Sequence, residues 1–360
     1  MSVIEVLTYQ CPACGAPLEF SSQTQKWDCK FCRSSFDMEQ LQEIEKKKME
    51  NQSQETVQDE NFQQNTEENV ENVTSYSCPN CGAEMITEEN TAATFCAFCG
   101  SPAVFPKQLS GEFAAEKIIP FKFTKEQAVE ALKKLCREKK LLPKDFSDQN
   151  HIEKITGIYV PFWLFDCKMK VDMEASAQRI QTWSDSKYRY TKTDFYRLER
   201  EGDLEVRGVP TDGLQRMDDQ MMDALEPFDY TTMCDFEMSY LSGYFAERYD
   251  VDKEASWTRA QERIYQTAKA LTEDTLRGYV STQVKNFNTK VYEKNTHYAM
   301  LPVWILSTQY KGQNYLFTMN GQTGKMVGKL PMSLGKVAKY FALYGLGAFL
   351  VTLLGGMLLL

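Results

Sequence analysis

From residue 112 onward, hydrophobic positions recur with helical and strand periods that outline a mixed domain. In "FTKEQAVEALKKLCREKKLLPKDF", Ala128, Leu132 and Leu135, with Val129 and Cys136 alongside, form one apolar face. Thr124 and Gln127 stand as a capping box before that face, and Pro143 stops it. "CKMKVDMEASA" alternates instead, putting Met169, Val171, Met173 and Ala175 on one side of a strand. "KYRYTKTDFYRLER" and "DLEVRGV" read as further strands, with a turn expected at Gly202-Asp203. "MDDQMMDALE" is a short helix ended by Pro227. A longer one runs through "SWTRAQERIYQTAKALTEDTLRGYV", with Ala260, Ile264, Ala268 and Leu271 at core spacing. The stretch "AMLPVWILSTQYKGQNYLFTMNGQTGKMVGKLP" reads as a β-meander turning at Lys311-Gly312 and Asn320-Gly321. "YVPFWLFD" and "MLPVWILS" echo each other, which suggests equivalent strands anchored by Trp163 and Trp304 and a possible internal duplication.

Two other stretches break this pattern. Residues 37–75 become rich in Gln, Asn and Glu after a first dozen with helical spacing at Met38, Leu41 and Ile44. They bury too little to offset ordering entropy, so they read as an acidic flexible linker. At the other end, "YFALYGLGAFLVTLLGGMLLL" (340–360) is uncharged throughout, long enough for a transmembrane helix of about 20 residues. Lys325, Lys329, Lys336 and Lys339 precede it, which by the positive-inside bias places the N-terminal part in the cytoplasm. The expectation is therefore a single-pass cell-membrane protein that contacts the bilayer through 340–360, a buried core helix being the alternative. Ala348, Thr352 and Gly356 offer a small-residue stripe for helix packing or simply face lipid.

The cysteines carry the clearest chemistry. Eight of the eleven form Cys11-Cys14-Cys29-Cys32 and Cys78-Cys81-Cys96-Cys99. Each set is a pair of Cys-x-x-Cys knuckles separated by fourteen residues, and the sets match at an offset of 67 that also aligns Pro12/Pro79, Gly15/Gly82, Ala16/Ala83 and Phe31/Phe98. Without an export signal this pattern reads as metal binding in a reducing compartment. Four thiolates suit tetrahedral zinc and leave no open position, so two structural Zn2+ ions are expected. Rubredoxin-type iron is the rival, disfavoured because no redox domain accompanies the sites. The residue after a knuckle's second cysteine often needs positive φ, which Gly15, Gly82 and Gly100 supply; Arg33 in that place costs on the order of 1 kcal/mol. Cys136, Cys167 and Cys234 stand alone and read as small buried apolar residues.

The expected organisation is thus multidomain: zinc ribbon 1 (9–36), the linker (37–75), zinc ribbon 2 (76–106), an α+β domain with a mainly antiparallel sheet (112–335), and the C-terminal transmembrane helix. The formal net charge of −9 leans away from nucleic acid. Ribbon 1 sets Lys26, Lys30 and Arg33 against Glu19 and Asp28, whereas ribbon 2 carries Glu84, Glu88 and Glu89 and no basic residue between its outer cysteines. Phosphate binding needs clustered cations, so protein docking is the better reading of the ribbons. No catalytic constellation stands out. "NGQTGKM" lacks the first glycine and the final Ser/Thr of a phosphate loop. His151 and His297 have no nucleophile in sequence reach, and Asp218/Asp219 read as a helix cap.

The strings "VPTDGLQRMDDQMMDALEPFDY", "SYLSGYFAERYDVD" and the meander resemble a Firmicutes family of membrane-anchored proteins described as TFIIB-type zinc ribbon-containing, some of them labelled as primosomal-helicase relatives. The helicase label has no nucleotide-binding motif here to support it. The resemblance implies a non-enzymatic role beside phage-shock-type membrane-stress proteins and SPFH (flotillin-like) partners, and carries over no catalytic residue. The expected function is a membrane-anchored zinc-ribbon scaffold that recruits protein partners, with no small-molecule substrate. The alternatives are a membrane-tethered zinc-ribbon nucleic-acid binder in transcription or replication, and a redox sensor using the quartets.

Overall fold

The computed structural model describes residues 6–52, 73–143, 145–146 and 152–358. Most of the linker's polar tract and His151 lie outside them, as do residues 359 and 360.

The strands are β1 (Leu18–Ser21), β2 (Lys26–Cys29), β3 (Ser35–Phe36), β4 (Val73–Ser77), β5 (Glu84–Glu88), β6 (Thr91–Phe95), β7 (Pro102–Val104) and β8 (Lys117–Ile118). They continue with β9 (Ile152–Ser184), β10 (Arg189–Asp212), β11 (Cys234–Asp235), β12 (Phe245–Glu247), β13 (Ser281–Tyr310), β14 (Gln313–Asn320) and β15 (Met326–Gly328). A ten-stranded sheet runs β11-β8-β13-β9-β12-β6-β7, with β10 added to β9 and β14-β15 added to β13. Its long pairings are antiparallel; only the short β12–β9 and β13–β8 pairings are parallel.

The echoing strings lie at the sheet centre. Val160 faces Leu301 directly, Pro161 faces Met300, and Tyr159 faces Pro302, so each copy pairs with the other in reverse direction. Trp163 donates through Nε1 to the Val251 carbonyl at 2.9 Å, and Trp304 likewise to the Phe123 carbonyl at 2.9 Å. Each indole thus buries its apolar body while its one donor is satisfied, the condition under which tryptophan suits a core.

One face of the strands β9, β10 and β13 is covered by the Lys253–Glu273 helix. Its Ala260, Ile264 and Ala268 are buried, as are Met169, Val171, Met173 and Ala175 of β9. Leu271, expected in that core, is exposed because it falls one position off the buried stripe of Ser256, Ala260, Ile264, Ala268 and Thr272. The Lys125–Glu138 helix starts with Thr124 accepting from Gln127 N and Gln127 Oε1 accepting from Thr124 N, a complete capping box. Asp218 caps the short Asp219–Ala224 helix through Met221 N. From the Lys253–Glu273 helix, Arg259 bridges Asp212, Asp219 and Asp223 at 2.6–2.8 Å, and Arg263 reaches Asp223 and Glu226.

Three further expectations are corrected. Gly202-Asp203 makes no turn: β10 runs straight through, with Gly202 opposite Val171 and Asp203 opposite Lys170. The hairpin reverses at Ser184–Arg189 instead, where Asp185 Oδ1 accepts from Lys187 N and Tyr188 N. The transmembrane helix is the second correction: among the described residues no helix is long and apolar enough to cross a membrane. The Leu334–Leu358 helix opens with Lys336 and Lys339 in its first turns. The single-pass cell-membrane location and the orientation derived from that span lose their basis with it, which is the third.

Candidate metal centres

Each four-cysteine site is assembled by local hydrogen bonding that repeats from knuckle to knuckle. Gly15 N donates to Cys11 O, Arg33 N to Cys29 O, Gly82 N to Cys78 O and Gly100 N to Cys96 O, all at 2.8–2.9 Å. A second bond closes each turn: Cys11 N to Ala16 O, Cys29 N to Ser34 O, Cys78 N to Ala83 O and Cys96 N to Ser101 O. The residue after each second cysteine has φ of +75° (Gly15), +63° (Arg33), +73° (Gly82) and +73° (Gly100). Arg33 therefore takes the left-handed conformation that its three glycine counterparts reach without strain.

The four sulfurs of each site lie within 4.8 Å of one another. Cys11 Sγ is 3.5 Å from Cys32 Sγ, and Cys14 Sγ is 3.5 Å from Cys29 Sγ. In the second site Cys78–Cys99 and Cys81–Cys96 are both 3.7 Å apart. Four ligands at a Zn–S distance of about 2.3 Å in a tetrahedron sit roughly 3.8 Å apart. The spacing fits a shared ion and is far too long for a disulfide, about 2.05 Å. The two separate clusters are compatible with holding two zinc ions.

The surroundings favour a thiolate at the fourth cysteine of each set, whereas Cys14 and Cys81 are raised to about 12. The Ser34 hydroxyl, 3.2 Å from Cys32 Sγ, pulls that thiol down to about 6. Ser101, at the same distance from Cys99 Sγ, and then Asn80 pull Cys99 down to about 5. Burial pushes Cys11 and Cys78 up, so their deprotonation needs the metal's charge. In each set the first and third cysteines are buried, and the second and fourth face solvent. Each set would hold its ion with four protein sulfurs, two buried and two facing solvent, which would stabilise the knuckles and leave no open position for substrate.

The ribbons are joined to the α+β body. In ribbon 1, Trp27 is buried and donates to the Ser239 carbonyl at 2.7 Å, while its ring packs 5.1 Å from Phe20 and 5.2 Å from Tyr240. Phe20 N donates to Ser242 O at 2.8 Å, and Ser242 Oγ donates to Leu18 O at 2.5 Å. Ribbon 2 shares backbone with the main sheet, since β6 pairs with β12 through Ala93 and Ala246. Arg248 then bridges to Glu89 at 2.7 Å.

The outward face of each ribbon carries residues whose role the sequence reading passed over. Phe31 is 77% exposed and Phe98 75% exposed, and both stand directly before a fourth cysteine. Their match at the 67-residue offset was the available signal. Among the other residues singled out, Cys136 and Cys167 are buried and Cys234 is half-buried. His297 lies on the surface with Nδ1 3.0 Å from Glu116 Oε2.

No family model matches the chain, and no solved structure does. The chain is 36% identical to the uncharacterized protein YdjG of Bacillus subtilis (strain 168) over 327 residues, spanning 77% of this chain and 96% of that one. The match is too extensive to be carried by two short ribbons, and the chain belongs to the same family as YdjG.

Proposed function

We propose that this protein is a non-enzymatic adaptor that docks protein partners through its two zinc ribbons. The observation that carries this reading is the pair of phenylalanines, Phe31 and Phe98, exposed at equivalent places on knuckles closed by the same backbone hydrogen bonds. A large ring left in water on a fixed scaffold forgoes about 2 kcal/mol or more of burial free energy that a partner's pocket recovers. The body supports the role by fixing both ribbons, so little conformational freedom is lost on binding. SPFH-type and phage-shock-type proteins, implied by the family resemblance, are the partners to test first.

A nucleic-acid role for the ribbons is less well supported. Lys30, the cation next to Phe31, is 2.7 Å from Glu19. The test is a titration of purified candidate partners against the full chain, Phe31→Ala, Phe98→Ala and the double variant. Loss of about tenfold or more in affinity for the double variant, with zinc content unchanged, supports the proposal. Unchanged affinity for every partner that binds, or tight ribbon-dependent binding of DNA or RNA instead, overturns it.

A further inference from the structure

The hairpin formed by β9 and β10 extends past the rest of the sheet. β13 accompanies β9 only as far as Ser281 opposite Gln178, so residues 179–194 stand as a two-stranded finger. An isolated two-stranded hairpin is marginal in water, and this one is braced at its base and its tip. At the base, the Arg179 guanidinium lies 5.7 Å from the centre of the Tyr196 ring and 5.5 Å from that of Tyr279. At the tip, Asp185 accepts from two backbone N–H groups and from the Tyr190 hydroxyl at 2.9 Å.

The chemistry of the tip differs from that of the rest of the molecule. Trp183 and Tyr190 stack with centroids 5.6 Å apart and planes 17° from parallel, and Tyr188 follows at 6.3 Å from Tyr190. All three rings are exposed, Trp183 by 52% and Tyr188 by 65%. Between residues 181 and 192 there is no aliphatic side chain, and three cations stand against one carboxylate, in a chain of net charge −9. Lys192 is tied to Asp194 at 3.1 Å, while Lys187 and Arg189 have no carboxylate partner among the described residues. Asp185 is committed to holding the turn.

We infer that this finger binds single-stranded nucleic acid, its stacked rings receiving bases and Lys187 and Arg189 receiving the phosphates beside them. Open π faces among polar neighbours suit bases, which stack without requiring an aliphatic pocket, and unpaired cations in a locally positive segment suit the phosphodiester backbone. A protein groove or an acidic peptide would use the same charges but gain less from the rings, since the tip presents no aliphatic anchor. This site is separate from the ribbons and does not depend on their docking role.

The probe is a fluorescein-labelled oligothymidylate about 15 nucleotides long, within the reach of one stacking platform, titrated with the full zinc-loaded chain by anisotropy. With two phosphates neutralised, the affinity should fall about sevenfold between 50 and 200 mM salt. Trp183→Ala should weaken binding about tenfold, and the pair Lys187→Glu, Arg189→Glu should abolish both the binding and its salt dependence. Phe31→Ala with Phe98→Ala should leave oligonucleotide affinity unchanged. No binding at 50 mM salt, binding indifferent to Trp183, or equal competition by poly-glutamate would each overturn the inference. All three finger side chains are exposed, so circular dichroism of the variants should match the parent.

Discussion

Removing the Trp27 side chain tests how ribbon 1 is held to the body. The residue is 1% exposed, touches the rings of Phe20 and Tyr240, and gives its only donor to the Ser239 carbonyl. Truncating a buried tryptophan to alanine costs about 3–5 kcal/mol through lost transfer energy and the cavity left behind. Trp27→Phe keeps most of the apolar bulk and removes the indole N–H; the Ser239 carbonyl still accepts from Ser242 N at 3.1 Å, so the lost bond costs about 0.5–1.5 kcal/mol. The two variants therefore separate packing from hydrogen bonding. Urea unfolding of the zinc-loaded chain, followed by far-UV circular dichroism, measures the loss. Zinc transfer to a colorimetric chelator should show one of two ions released faster in Trp27→Ala, because ribbon 1 then opens without unfolding the rest. A loss below about 1 kcal/mol in Trp27→Ala, with both ions released at the parent rate, would refute the claim that Trp27 fastens the ribbon.

Other outcomes follow from the same geometry. Metal analysis should find two zinc ions per chain, and Cys96→Ser should lose one of them while ribbon 1 keeps its own; retention of both would show that Cys96 is not a ligand. Arg33→Gly should relieve a left-handed non-glycine residue and stabilise ribbon 1 by up to about 1 kcal/mol, seen as slower chelator-driven zinc release. Gly321→Ala should destabilise the chain by about 1–3 kcal/mol in urea unfolding. Its Cβ would meet the Phe121 ring at 2.6 Å and Pro302 at 2.9 Å.

Local features of this protein were readable from its sequence; features set by distant chain were not. The two four-cysteine clusters are legible because a knuckle is closed by residues one turn apart, and the same spacing exposes the Arg33 anomaly. The capping box at Thr124 and Gln127 and the reversal at Lys311-Gly312, with φ of +50° and +75°, are likewise encoded within a few residues. Gly202-Asp203 has the composition of a turn, yet β9 offers unbroken partners at Val171 and Lys170, and pairing across the sheet overrides local preference. The attachment of ribbon 1 depends on Ser239 and Ser242, more than 200 residues from the groups they bond, and no periodicity reports that. Hydropathy of the C-terminal stretch suggested a span that the described helix does not provide. Phe31 and Phe98 were visible as repeat-matched positions, but only the fold shows that both rings face water rather than a core.

The central claim is that partners are gripped at the knuckles that end ribbon 1 and ribbon 2. Hydrogen–deuterium exchange of the full zinc-loaded chain, with and without a bound protein partner, tests it most directly. The account predicts slowed exchange concentrated at residues 29–34 and 96–101, around Phe31 and Phe98. Protection confined to other surfaces, with both knuckles exchanging as in the free chain, would contradict it.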